Sequence, residues 1–153
     1  MKISLSRLIS RPLANESKSS MQTQDFINYL KSLKSTDWEL KATEEWTVKD
    51  MVAHLVGWEK ANAEAASAAL ETNKDPVWLE VEDEDSFNAE SVKFYKAYSS
   101  RQLLEEWENW QVKLNEITEK ISQKNYQILF NWLAESKNHK EHHFQQIKKL
   151  IIR

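Results

Sequence analysis

The sequence of 153 residues contains a single glycine, Gly57, and only two prolines, Pro12 and Pro76. Glycine and proline supply much of the turn chemistry that hairpins and sheets require, so a sheet protein with so few of them is difficult to build. Long helices have no such requirement, and both residue types weaken a helix interior. This shortage predicts an all-α fold, and the chain length predicts one domain with a single buried core.

Apolar residues recur at the three- and four-residue spacing of amphipathic helices along most of the chain. The segment YQILFNWLAESK is dense in apolar residues and is expected to form a short turn or helix before the last helix. Ser99 and Ser100 mark a point where the third helix can be interrupted. The pattern predicts four helices, over about residues 22–35, 47–70, 88–121 and 138–152.

Polar pairs three residues apart mark three helix starts. In a capping box, a Ser, Thr or Asn side chain accepts from a backbone N–H of the first turn, and an acidic or amide side chain reaches back to the cap. The three candidate pairs are Thr47 with Asp50, Ser99 with Gln102, and Asn138 with Glu141.

The main irregular segment is predicted at residues 71–87. Pro76 stops helix propagation, and five of the six residues from Glu80 to Asp85 are acidic. Such a run is typical of a solvated loop, and it lacks the glycine-punctuated spacing of a calcium-binding loop. The sequence therefore predicts a four-helix bundle with a long connection between helices 2 and 3.

Residues 1–20 differ in composition from the rest of the chain. They contain four basic residues, one acidic residue and six serines, and no aromatic residue. This composition fits a disordered leader before a domain that begins near residue 21 and extends to 153. A targeting segment is the alternative, although a continuous apolar core of the secretory kind is absent.

Composition and charge exclude several classes of function. The chain has no cysteine, which rules out disulfides, thiolate metal sites and cysteine nucleophiles and is compatible with a reducing cytoplasm, where we expect the protein. The net charge of −3 argues against nucleic-acid binding. No apolar run approaches the roughly 20 residues that span a bilayer. We expect a small-molecule substrate or ligand as partner, and a homodimer is left open.

Two histidines near the start of the predicted fourth helix lie one turn apart. His139 and His143 share one face at a separation of about 40°, and Leu150 and Ile147 place that face toward the core. Histidines at this spacing can direct two imidazole nitrogens at one cation. His142 lies about 60° away from His139 on the other side, nearer the rim.

A third histidine, His54, lies at the edge of the apolar stripe of the predicted second helix. If the second and fourth helices meet, His54 completes a three-histidine metal site together with His139 and His143. Three neutral ligands with one remaining coordination position are typical of catalytic zinc sites. The alternative is an ordinary hydrogen-bonded core histidine, and spacing alone does not decide between the two.

The stretches WTVKDMVAHLVGWE and HKEHHFQQIKK resemble the DinB-like (DinB/YfiT-like) superfamily of metal-binding four-helix bundles. The resemblance covers roughly residues 21–152, and its motifs are a W-(S/T)-V-x-(D/E)-x-x-x-H-L helix start and an H-x-x-x-H pair. It implies that His54, His139 and His143 bind a divalent transition metal, zinc or nickel. It also implies either a thiol-dependent transferase, with a low-molecular-weight thiol as co-substrate, or a hydrolase acting on a small electrophile.

A catalytic role beyond the metal ligands has weaker candidates. Glu59 is a carboxylate within an apolar stripe, which is explained by a base, by a partner that holds a metal ligand, or by an ion pair with Lys60 or a neighbouring helix, and the ion pair is favoured. His142 is a candidate donor to a metal ligand or a candidate acid or base, although its direction favours the surface. Trp58 and Trp132 are candidate pocket walls, with core packing as the default. The competing hypothesis is a non-catalytic helical bundle that acts by small-ligand binding or dimerisation.

Overall fold

The computed structural model describes residues 22–72, 83–124 and 127–152, so the predicted leader at residues 1–20 lies outside the described residues. The described residues form helices joined by short turns, with one isolated β-bridge between Lys41 and Thr47. The predicted all-α class is therefore confirmed. The elements are α1 (Thr23–Lys31), a 3₁₀ helix (Asp37–Glu39), α2 (Val48–Thr72), α3 (Glu84–Phe94), α4 (Ser100–Lys124) and α5 (Gln127–Ile151).

Helix α1 ends at Lys31, four residues before the predicted boundary. The Ser32 hydroxyl donates to the carbonyl oxygen of Tyr29 at 2.6 Å, a local hydrogen bond that competes with helix continuation. Five residues after Ser32, the buried carboxylate of Asp37 accepts from the backbone N–H of Lys34 at 2.9 Å. The prediction for residues 32–35 was wrong because these side chains stabilise a turn.

Helix α2 begins where its capping box predicts. The backbone N–H of Asp50 donates to the Thr47 hydroxyl oxygen at 3.2 Å, and the backbone N–H of Thr47 donates to the Asp50 carboxylate at 3.0 Å. The helix then continues for 25 residues and contacts α3, α4 and α5. It is buried along most of its first three turns, so it forms the centre of the bundle.

The predicted third helix is two helices, and the break lies at the predicted serines. The backbone N–H of Ser99 donates to the Gln102 side chain at 2.9 Å, and that of Gln102 donates to the Ser99 hydroxyl at 3.1 Å, which confirms the second capping box. Helix α3 starts earlier than predicted, because Asp83 caps it by accepting from the backbone N–H of Ser86 at 3.1 Å. Part of the acidic run is therefore helical, while residues 73–82 lie outside the described residues.

Helix α5 is continuous from Gln127 to Ile151, so the predicted start at Asn138 was wrong. Neither glycine nor proline occurs between residues 127 and 151 to stop the helix. The pair of Asn138 and Glu141 lies in mid-helix, where the backbone N–H groups already have helical partners.

Helices α1, α2, α4 and α5 form the bundle, and α3 packs against the outside of α2 without burying any residue completely. The core has two parts along α2. One contains Phe26, whose ring centroid lies 5.2 Å from that of Trp107 and 4.7 Å from that of Phe144, and the other contains Leu129 and Trp132. Across the described ranges, no helix is long and apolar enough to cross a membrane.

Candidate metal centre

His54 lies on α2 and is 2% exposed. Its Nδ1 lies 2.6 Å from the carbonyl oxygen of Met51, one turn earlier in the helix. A carbonyl oxygen only accepts hydrogen bonds, so Nδ1 carries the proton. The lone pair of the imidazole is therefore on Nε2, the nitrogen that remains for a metal ion.

His139 and His143 lie one turn apart on α5, as the sequence predicts. Their ring centroids are 4.6 Å apart, and their Nε2 atoms are 2.9 Å apart. The Nδ1 of His143 lies 2.6 Å from the side-chain oxygen of Gln146, to which it donates. Of the two residues that placed this face toward the core in the sequence, Ile147 is buried, whereas Leu150 is exposed.

The two helices bring the three histidines together. The ring of His54 lies 4.8 Å from that of His143 and 5.4 Å from that of His139. Each residue offers one ligand nitrogen, and the three nitrogens all lie within 4.8 Å of one another. The predicted contact between the second and last helices is therefore present, and it assembles the predicted ligand set.

Burial keeps the three imidazoles neutral at pH 7. Loss of water, together with the charges of the neighbouring His143 and His139, lowers the pKa of His54 from its ordinary 6.5 to about 3. Burial, followed by the charge of His143, lowers the pKa of His139 to about 4. Burial also lowers the pKa of His143, although its hydrogen bond with Gln146 opposes this. Neutral imidazole is the form that binds metals.

The donor set fits a divalent transition metal. Since Nδ1 of His143 donates to Gln146, its Nε2 faces the Nε2 of His139 as a lone pair at 2.9 Å. Nε2 of His139 therefore either donates its own proton to this lone pair or shares a cation with it. Imidazole ligands suit zinc, nickel, copper and iron. Among the residues that the structure describes, the cluster contains three histidines and no carboxylate.

Comparison with known protein families adds to this geometry. The family described as the mycothiol maleylpyruvate isomerase N-terminal domain matches residues 22–123, which is more than half of the chain. The chain belongs to this family. The mycothiol maleylpyruvate isomerase N-terminal family is a DinB/YfiT-like helical domain, so the resemblance seen in the sequence is confirmed. No curated protein and no solved structure matched.

The match to the mycothiol maleylpyruvate isomerase N-terminal family includes His54 but ends before α5. His139 and His143 therefore lie outside the matched range, and their placement beside His54 rests on the geometry of this structure.

An aromatic residue that the sequence reasoning did not assign to the site covers His54. The ring of Trp46 lies 4.9 Å from the His54 ring. The backbone N–H of Trp46 donates to the Thr43 hydroxyl at 2.9 Å, and its carbonyl oxygen accepts from the backbone of Ala42 at 2.9 Å. Trp46 is the first residue of the helix-start motif, and this position was the signal in the sequence that could have assigned it to the site. The candidate walls lie elsewhere: Trp58 packs on Phe87, and Trp132 lies in the second core cluster.

The two weaker catalytic candidates are not members of the ligand cluster. Glu59 is 1% exposed, and both of its carboxylate oxygens accept from the ammonium of Lys140 at 3.1 Å. This contact matches the structural interpretation of Glu59, with a partner on α5. His142 is exposed, with its ring 5.4 Å from that of His143, so it borders the cluster from the surface.

Proposed function

We propose that this chain is a divalent-metal-dependent enzyme that uses a low-molecular-weight thiol to transform a small electrophilic molecule. The observation that carries the proposal is the convergence of the neutral imidazoles of His54, His139 and His143 within 4.8 Å. Three protein ligands leave one position of a four-coordinate ion for an exogenous ligand, as in catalytic zinc sites. Zinc and nickel are the metals that best suit this set.

The side chains around the cluster support and shield the ligands. The hydrogen bonds from His54 to Met51 and from His143 to Gln146 fix which ring nitrogen is protonated and hold the ring planes. Trp46 covers one face of His54 and keeps water from it. A divalent metal held by these three residues would supply Lewis acidity, which favours the thiolate form of a thiol at the remaining position.

The surroundings favour thiol chemistry over hydrolysis. A hydrolase needs a residue that moves a proton to or from the reacting water. Glu59 is held by Lys140, and His142 points to the surface. A thiol on the metal would be deprotonated by coordination, with its proton passing to solvent, so it needs no such base. The family's name, which includes mycothiol, supports the same choice.

Metal content tests the site. The purified chain, incubated with zinc or nickel and then desalted, is expected to retain about one ion per chain. The single variants H54A, H139A and H143A are each expected to lose most of it, whereas H142A keeps it as the matched control from the same segment. A native chain that remains free of metal after both incubations would refute the proposal.

Turnover tests the reaction. The zinc- and nickel-loaded chain is assayed with mycothiol and maleylpyruvate by chromatographic separation of the substrate from its isomer. It is assayed with mycothiol and alkylating electrophiles by loss of free thiol and by product mass. We expect consumption of maleylpyruvate or of an electrophile that depends on both metal and thiol and disappears in H139A. Retained metal without any turnover would favour the non-catalytic bundle, which acts by ligand binding or dimerisation.

A further inference from the structure

A line of buried and half-buried polar contacts joins α2 to α5 beyond the histidines, and we call it the polar seam. It consists of Glu59 and Asn62 on α2, and Trp132, Ser136 and Lys140 on α5. Lys140 Nζ donates to both carboxylate oxygens of Glu59 at 3.1 Å. Asn62 donates to the Ser136 hydroxyl at 3.1 Å and accepts from the Trp132 indole N–H at 2.7 Å.

The ion pair at the end of the seam nearest the histidines is complete and enclosed. Lys140 Nζ also donates to the Thr23 hydroxyl on α1 at 3.1 Å, so its three N–H groups have three acceptors. Glu59 is 1% exposed and Lys140 is 7% exposed. Burial of two charges costs hydration, and apolar side chains of similar size often stabilise a core equally well. The hydrogen bonds of the pair are directional, whereas apolar contacts are not, so the pair restrains the relative position of the helices that it joins.

The direction of the seam fixes how α5 lies along α2. Along α2, His54 comes first and contacts His139 and His143. Glu59 comes next and pairs with Lys140, and Asn62 follows with its contacts to Ser136 and Trp132. The partners on α5 therefore run in the opposite order, as expected for antiparallel helices. Lys140 directly follows the ligand His139, so one turn of α5 carries both a ligand and the cation. A slide or rotation of α5 that separates the three ligands also breaks the ion pair.

From this arrangement we propose that Glu59 and Lys140 are positioning residues for the three-histidine centre. By fixing the register and rotation of α5 against α2 and α1, the pair sets the separation of the ligand nitrogens before an ion binds. This inference rests on the proposed metal site, and it gives Glu59 a role through Lys140 rather than as an acid or base.

The test replaces the pair with apolar side chains in E59L/K140M. The variant is expected to keep the helical circular dichroism of the native chain and a similar melting temperature, because both charges are removed together. Its zinc dissociation constant, measured by competition with a chromophoric chelator, is expected to rise about tenfold or more. R101Q/E105Q, which removes an exposed ion pair on α4, is the control and is expected to change neither quantity. If E59L/K140M does not fold, E59Q/K140M takes its place.

A second readout needs no metal. The chain has no cysteine, so spin labels can be placed at the exposed positions of A68C on α2 and K149C on α5. In metal-free protein, the distribution of distances between the two labels is expected to shift or broaden in E59L/K140M. The expected change is a detectable fraction of one helical turn, which is about 5.4 Å long. Either an unchanged zinc affinity or an unchanged distribution overturns the inference. If the native chain binds no metal, the proposed function fails, and the label distances still decide whether the pair sets the register.

Discussion

At the scale of single residues, the candidate centre depends on three imidazoles held neutral by burial, two of which are oriented by a hydrogen bond to a neighbouring oxygen. His54 and His143 use Nδ1 to donate to Met51 and Gln146, which leaves Nε2 of each ring facing its neighbours. The sequence predicts the pair of His139 and His143 because the helix itself fixes the angle between them, whereas the resemblance to the DinB-like superfamily added His54 to the set. It does not predict Trp46 or Gln146 as neighbours, because those contacts depend on rotamers and on the turn before α2.

The lowered pKa values predict a pH-dependent stability of the metal-free chain. Above pH 6.5, His54 is neutral in both the folded and the unfolded state, so it adds no pH dependence. As the pH falls from 6.5 toward about 3, the unfolded state binds a proton that the folded state excludes, and the free energy of unfolding decreases. The slope is about 1.4 kcal/mol per pH unit for one such group.

Urea unfolding of metal-free protein at pH 7 and pH 5 measures this effect. The variant H54Q is expected to lose less stability between the two pH values than the native chain, whereas Q145A, at an exposed position that does not titrate, is expected to lose the same amount as the native chain. Equal losses in native protein and H54Q would contradict the assignment of His54 as a buried neutral imidazole.

Gln146 gives a second residue-scale prediction. Q146L removes the acceptor for the Nδ1–H of His143 and leaves that ring free to rotate. Loss of such an outer partner typically weakens metal binding by about 10- to 100-fold. Zinc titration is the measurement, and the exposed neighbour in Q145L is the matched control. Native-like affinity in Q146L would show that Gln146 does not orient the ligand.

At the scale of helices, a helix starts where the side chains of a capping box form their hydrogen bonds with the backbone. No start is seen at the third predicted box. The boxes at Thr47 and Ser99 start helices in both sequence and structure. The pair at Asn138 does not, because α5 passes through it without a helix breaker. A cap pattern is a local signal, and a helix already stabilised by packing on both sides continues through it.

The only glycine of the chain permits the close approach of α3 to α2. A Cβ added at Gly57 would lie 2.3 Å from the Ser91 hydroxyl oxygen and 2.6 Å from its Cβ. G57A is therefore expected to destabilise the fold by about 1–3 kcal/mol through overpacking, despite the better helix propensity of alanine.

The double variant G57A/S91G removes the clashing side chain and is expected to recover most of the stability lost in G57A. Chemical denaturation of the native chain, both single variants and the double variant gives the coupling energy. Additive effects of the two substitutions would mean that α3 does not press on α2 at this point.

At the scale of the whole molecule, the scarcity of glycine and proline already predicts the all-α class, and the fold is the bundle that the apolar spacing predicts. What spacing could not give is the register of α5 against α2, because it depends on contacts between helices distant in sequence. The histidines and the polar seam meet across that one interface. Glu59 illustrates the difference: its odd position in an apolar stripe was visible, whereas its partner Lys140 was not.

The central claim, that three histidines from two helices bind one ion, is tested most directly by X-ray absorption spectroscopy of the zinc-loaded full chain. We predict a four-coordinate first shell with three imidazole nitrogens at about 2.0–2.1 Å and one exogenous ligand. Addition of mycothiol is expected to replace that ligand with sulfur at about 2.3 Å. A first shell with fewer than three imidazoles, or one unaltered in H54A, would contradict the account.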